Sequence, residues 1–293
     1  MTLTEKILQL KLDAALALRH AQWWERQVAQ HGITHVEAFY TQKLGLNHIE
    51  TKADFDGLQL RRQPRDSEKL CVKGVAMAQT SAQARLSSLL LSLRTELISD
   101  GLKGISQLSP AEFPRLVLQV SAEFRKSLRD RLKQIHHEGR QLVQRELGVQ
   151  TKQDDEDDFD ELDTLTDATA SRVVNDVQAR IIASAAKYAA FGFVAAALLD
   201  AVQQDVISGS TAYIERTATG AANRSLSIGR SDEAEMHDNI TVEYSALLDA
   251  NVCGPCAAED GTTATNEADL QPAPNPDCQG GDWCRCFHVY LNQ

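Results

Sequence analysis

Apolar positions in the first part of the chain recur at helical spacing. Leu3, Ile7, Leu10, Ala14, Ala17, Ala21, Trp24 and Val28 alternate steps of four and three, which places them on one seam of a long helix. Thr2 and Glu5 supply a capping box at its start. Leu8, Leu12, Leu16 and Leu18 widen the apolar face beyond a coiled-coil stripe, so packing in a bundle is expected. Trp23 and Trp24 are adjacent and point in different directions, which is compatible either with one ring in the core and the other available to a partner or with both buried within this chain. Leu86, Leu89, Leu90, Leu93 and Leu97 predict a second helix, with a stop at Asp100-Gly101, where glycine can take the left-handed cap conformation. Ser109 to Glu112 reads as a helix start with serine N-cap, proline at the first position and a closing glutamate. Pro114 complicates that first turn. From Leu116 the four-residue spacing continues through Val120, Phe124, Leu128 and Leu132 towards Leu147, with Gly148 as the stop.

The pattern then breaks. Asp154 to Asp163, DDEDDFDELD, repels itself and offers little to bury, so 151–166 reads as an acidic, solvated linker. It lacks the glycine-centred spacing of an EF-hand calcium loop. Val173 to Val206 is alanine-rich and reads as helix, broken by Ser208-Gly209-Ser210 before a shorter helix over Thr211 to Arg230. Beyond Asn239 the character changes to strands: ITVEYSALLD from Ile240 and CFHVYL over Cys286 to Leu291. The expected organisation is a helical region at 1–150, the linker at 151–166, a helical middle at 167–238 and a cysteine-rich β module at 239–293.

Composition narrows the classes. With 293 residues, 43% hydrophobic and 24% charged, the chain can bury a sizeable core in two or three substructures. A net charge of −11 argues against a whole-molecule nucleic-acid coat. The first twenty residues lack the features of a secretory signal, which predicts a reducing cytoplasm. The least polar stretch, Tyr188 to Leu199, falls short of the roughly 20 residues a membrane helix needs and reads as buried helix.

Five of the six cysteines fall in the last 41 residues. Cys253-Gly-Pro-Cys256 spells a thioredoxin dithiol, but too little chain follows it for an α/β redox domain, and position 252 is valine where tryptophan is expected. Zinc fits better, since it takes four thiolate or imidazole ligands, often as two short pairs. Cys253 and Cys256 form one pair. Cys278, Cys284 and Cys286 supply the other after a turn-rich stretch that folds back. The expected ligands of a structural zinc are Cys253, Cys256, Cys278 and Cys284, with Cys286 as the alternative. His288, on a strand beside aromatics, reads as packed or hydrogen-bonded, and Cys71 as a buried thiol. The expected fold class is therefore mainly α, with helical N-terminal and middle regions and a small C-terminal zinc-clamped β module.

YSALLDANVCGPCAAEDG over Tyr244 to Gly261, together with Cys284-Arg285-Cys286, resembles the C-terminal module of the Mu F-like head morphogenesis (minor head protein) family of tailed bacteriophages. RTATGAANRSLSIGR, Arg216 to Arg230, resembles the helix that leads into it, and the likeness covers roughly 165–290. In that family a histidine commonly lies three residues before Cys-Arg-Cys; here the position is Gly281 and Cys278 comes earlier. The resemblance implies a minor capsid component of the virion, present in few copies and attached to the portal protein during assembly in the host cytoplasm. It also points to a link with DNA packaging or ejection, with packaged DNA and major capsid or scaffold protein as further candidate contacts; no membrane partner is expected, since the least polar stretch is too short to span one.

No enzyme is expected. His136-His137-Glu138 lacks the second histidine of HExxH and reads as a solvated helix face, and neither a Walker loop nor a GxSxG elbow is present. The alternative class is a zinc-dependent nucleic-acid-binding protein gripping phosphate with Arg125, Lys126, Arg129, Arg131 and Lys133. Glu123, Asp130 and Glu138 interleave with those bases.

Overall fold

The computed structural model describes residues 60–149, 159–193, 195–248 and 252–292. The helix predicted over Leu3 to Val28 lies outside them. The described chain is mainly helical, with a small antiparallel sheet at its C-terminal end, as the periodicities predict. Four long helices, α1 (Val72–Gln107), α2 (Ala122–Leu147), α3 (Asp160–Ala190) and α4 (Ala195–Ala234), precede β1 (Ile240–Ser245). A short α5 (Gly254–Glu259), β2 (Thr263–Ala264) and β3 (Phe287–Asn292) complete the module, in sheet order β2-β1-β3.

Helix α4 is the centre of the assembly and packs on α1, α2 and α3. Its Val202, Val206, Ile214, Ala218, Ala222 and Leu226 meet Leu86, Leu90 and Leu93 of α1, Leu128 and Leu132 of α2, and Val173, Val177 and Ile181 of α3 in one core. Each fully buried leucine contributes roughly 1.5–3 kcal/mol. A smaller apolar cluster of Val143, Leu147, Ala234, Ile240, Val242 and Tyr290 joins the helices to the sheet. No helix of the described residues is long and apolar enough to cross a membrane.

Local signals misled in five places, most of them for a tertiary reason. Helix α1 does not stop at Asp100-Gly101 but runs on to Gln107, because Gly101 is buried where a Cβ would lie 2.5 Å from Ile181 Cδ1 of α3. The capping box at Ser109 forms, with the Ser109 amide donating to Glu112 Oε2 at 3.0 Å, but it opens only a 3-10 turn over Pro110–Arg115. Leu116 and Leu118 are then buried by strand-like alternation, and a new start at Ser121, whose Oγ accepts from the Phe124 amide at 3.1 Å, begins α2. That helix ends at Gly148, in the left-handed region (φ 68°), as expected.

Residues 160–166, read as linker, form the first turns of α3, with Leu162 and Thr166 buried. Asp160, Glu161 and Asp163 favour the positive end of that helix, and α2 offsets their repulsion by supplying arginines. The break in the alanine-rich stretch comes at Phe191-Gly192-Phe193, where Gly192 has φ 75°, and Ser208-Gly209-Ser210 lies inside α4. Ser210 Oγ donates back to the Val206 carbonyl at 2.7 Å, and Gly209 faces the Arg180 guanidinium. Phe191 is 71% exposed, so the stretch from Tyr188 to Leu199 is a helix–turn–helix tip and not one buried helix.

Helices α2 and α4 cross with their backbones nearly touching. A Cβ on Gly229 would stand 1.9 Å from the His136 carbonyl oxygen, and one on Gly139 would stand 2.3 Å from that of Leu226. Backbone oxygens in helices cannot rotate aside, so Gly229→Ala should cost about 3 kcal/mol, the upper end for overpacking. Urea unfolding of the full chain reads this, and an unchanged midpoint would mean that the helices part without cost.

Candidate metal centre

The β module brings together all five cysteines that the sequence singles out. Cys253 is the N-cap residue of α5 and Cys256 lies one turn along it, a spacing that puts both on one face of the helix. Cys278 sits in a turn closed by its own amide on Asn275 O at 3.1 Å and by Gly281 N on its carbonyl at 2.8 Å. Cys284 follows the 3-10 turn Gly281–Trp283, and Cys286 leads into β3.

The sulfurs form two overlapping groups, Cys253/Cys256/Cys278 and Cys256/Cys284/Cys286, each with all its sulfurs within 4.8 Å of one another. Cys253 and Cys278 are 3.7 Å apart, and Cys256 and Cys284 are 4.0 Å apart. Four sulfurs at about 2.3 Å from a zinc ion stand about 3.8 Å apart along the edges of their tetrahedron, so these separations fit. All the cysteines are free thiols. The arrangement is a cluster of four to five close cysteines that could bind a metal such as zinc.

The thiols are not equivalent. Hydrogen bonding from Cys286 is the main influence holding Cys284 down, to about 6. Burial opposes ionisation of Cys253, but the Cys256 and Gln279 amides outweigh it and lower its pKa. Burial and the charge on Cys284 push Cys278 up to about 11, and the same two influences raise Cys256. Cys286 is raised, first by its hydrogen bond to Cys284 and then by burial. Tyr244 is fully buried beside them, and its hydroxyl has no hydrogen-bond partner of standard geometry. Burial, then the charge on Cys286, raises the pKa of this phenol. An unsatisfied buried hydroxyl costs about 1–3 kcal/mol, and a neutral thiol sulfur, a weak acceptor, relieves little of it.

Cys71 and His288 stay outside the cluster, as expected. Cys71 is buried, its thiol donating to Glu68 O at 3.4 Å, and burial pushes it up. His288 is held by Glu267 Oε1 at 2.8 Å and by Gln271 O at 3.0 Å, which occupies both ring nitrogens.

Two surfaces brace the cluster. On α4, Arg216, Gly220, Asn223, Ser227 and Arg230 alternate steps of four and three, a stripe that reads as polar in sequence yet faces the module. Arg216 reaches Asp282 at 3.5 Å, and Gly220 leaves room for that carboxylate. Asn223 Nδ2 donates to Cys284 O at 2.8 Å, Ser227 Oγ to Ala273 O, and Arg230 Nη2 to His288 O at 2.6 Å. Arg172 of α3 also donates to Asp282, at 3.0 Å, and this partner outweighs burial to hold the carboxylate down.

The second brace is the segment before α1. Arg61 and Arg62 bind Asp260 at 2.6 and 2.8 Å, and Arg62 also binds Glu68 at 2.6 Å. Glu68, itself fully buried, accepts from Ser245 Oγ at 2.6 Å, and Asp260 accepts from the Ala246 amide at 3.0 Å. Burial opposes the Asp260 charge, but Arg62 and that amide bring its pKa down to about 2. The second brace was not legible beforehand, because its partners lie up to 199 residues apart.

The basic face of α2 meets acids from α3. Arg125 pairs with Asp167 and Arg129 with Asp163, and Lys133 lies 3.7 Å above the Phe159 ring. His136 is buried and bonded to Asp232 at 2.6 Å, which corrects its reading as part of a solvated face, and Glu138 pairs with Arg85. Comparison of the chain with protein-family models, curated proteins and solved structures finds no match.

Proposed function

We propose that this chain is a structural minor head protein of a tailed bacteriophage and not an enzyme. In this reading it associates with the portal protein during head assembly in the host cytoplasm, contacts major capsid or scaffold protein, remains in the virion and aids DNA packaging or ejection. One zinc, held by Cys253, Cys256, Cys278 and Cys284, clamps its C-terminal module. A sheet with a two-residue edge strand, β2, has little core of its own. A structural zinc supplies on the order of 10–16 kcal/mol towards folding.

The observation that carries the reading is that the residues of the Mu F-like resemblance fall on one braced unit. Tyr244 and the cysteines form its centre. Ser245 and Asp260 receive the arginine-rich segment, and Gly261 N closes the turn on Tyr244 O at 2.9 Å. The motif residues hold one another and the helices, which suits a structural role. The nucleic-acid alternative is disfavoured by the acids paired with Arg125 and Arg129.

Quantitative mass spectrometry of heads assembled with this chain and its portal protein tests the proposal. The chain should be present in few copies and should remain with the portal when shells are dissociated. Heads of normal composition from which it is absent, together with salt-sensitive DNA binding by the isolated chain, would favour the alternative.

A further inference from the structure

The cluster holds five sulfurs, and a tetrahedral metal takes four. The fifth stands beside the one buried hydroxyl among the described residues that lacks a partner. In the β1–β3 register Tyr244 is opposite His288 and Ser245 is opposite Phe287. Continuing that register by one residue sets Ala246 against Cys286, so Tyr244 and Cys286 are diagonal neighbours on one face of the sheet. Both belong to the same buried cluster as Cys256 and Cys284. The Tyr244 ring is fixed edge-on to His288, with centroids 5.7 Å apart, so the hydroxyl is not free to swing out to water.

We propose that Cys286 is an uncoordinated thiol bridging Tyr244 to the metal centre: the Tyr244 O–H donates to Cys286 Sγ, whose S–H donates to the metal-bound Cys284 thiolate. This rests on the reading of the cluster as a metal site. Three observations converge on it. Cys284 and Cys286 lie within 4.8 Å of each other in a buried group. Cys284 is fixed from the other side by Asn223 on its carbonyl. The Tyr244 hydroxyl is buried without a hydrogen-bond partner of standard geometry. A donor on a thiolate tunes the metal as outer-shell partners do, and loss of such a partner typically lowers metal affinity 10–100-fold. Once its S–H is engaged by a charged acceptor, Cys286 also becomes a better acceptor for the phenol, since chained hydrogen bonds polarise one another.

The test uses the full chain loaded with zinc, and in parallel with cobalt, whose thiolate charge-transfer absorption reports on the sulfurs. Cys286→Ala should retain about one metal per chain. Tyr244→Phe, which keeps the ring, should lower zinc affinity about tenfold in competition with a chelator. It should also move the cobalt band to lower energy, because Cys286, no longer polarised by the phenol, donates more weakly to the Cys284 thiolate. Packing loss alone would not shift the band. Combined with Cys286→Ala, Tyr244→Phe should add nothing further. Complete loss of metal from Cys286→Ala would make Cys286 a ligand and overturn the proposal. An unchanged affinity and spectrum in Tyr244→Phe, or an effect undiminished in the double variant, would do the same. If the unsubstituted chain itself takes up no metal, the metal reading fails first and takes this proposal with it.

Discussion

A Cys256→Ser chain should purify without zinc and with its C-terminal module unfolded, while α1 to α4 keep most of the helical signal. Cys256 is the sulfur shared by both thiol groups, so its loss breaks each of them. It is 1% exposed, so no other residue can move in from solvent to replace it. A structural zinc contributes about 10–16 kcal/mol, more than a sheet with so short an edge strand can lose. The helical core of leucines and valines does not depend on the metal. Circular dichroism together with proteolysis reads both halves of the expectation: near-native helicity, and rapid cleavage between about Ser245 and Tyr290. Protection of that region in a metal-free Cys256→Ser chain would mean that the braces alone fold the module.

Arg230→Leu should be the most damaging change away from the cysteines, costing about 3–5 kcal/mol by leaving a buried charge without its partner. Arg230 is 2% exposed and binds both oxygens of Glu146, at 2.6 and 2.8 Å, and the His288 carbonyl at 2.6 Å. Its guanidinium lies 5.3 Å from the centre of the Tyr290 ring. Burial alone would lower its pKa, but Glu146 overcomes that and raises it. The pair joins α2, α4 and β3 in one contact, so the loss spreads across the docking of the module. Arg230→Leu combined with Glu146→Leu should recover most of the stability, because the double change leaves no buried charge unpaired. Denaturant midpoints of the two variants measure this. Equal destabilisation of both would point to lost packing and not to an orphaned carboxylate.

Much of this fold was legible from periodicity alone. The leucine run of α1, the Gly148 stop and the strands at Ile240 and Phe287 follow from local rules that tertiary contacts do not oppose. The misplaced boundaries share a cause: glycine and serine were read as breakers where they serve close packing. Gly101 and Gly209 sit within helices because a neighbour needs the space their missing side chains leave. Likewise the acids at the start of α3 looked self-repelling because their arginine partners on α2 lie 34 and 42 residues away.

At the site, the cysteines were legible because few other reasons gather five thiols in 34 residues. Their order of importance was not. Spacing cannot show that Cys256 is shared, that Tyr244 lacks a partner or that Asn223 fixes Cys284. The stripe from Arg216 to Arg230 carried a signal that could have been found. A heptad-like repeat of polar and small residues marks a helix face suited to docking on a polar partner. Gly220, Asn223 and Arg230 of that stripe are buried, so most of it faces protein and not solvent.

The claim on which these expectations converge is that the thiol cluster holds one structural metal. Elemental analysis of the full chain, purified under reducing conditions without chelators, tests it most directly. The account predicts about one zinc per chain, removed only as the module unfolds or as acid protonates the thiolates. A chain with no tightly held metal, its cluster thiols free and its C-terminal module still folded, would contradict it.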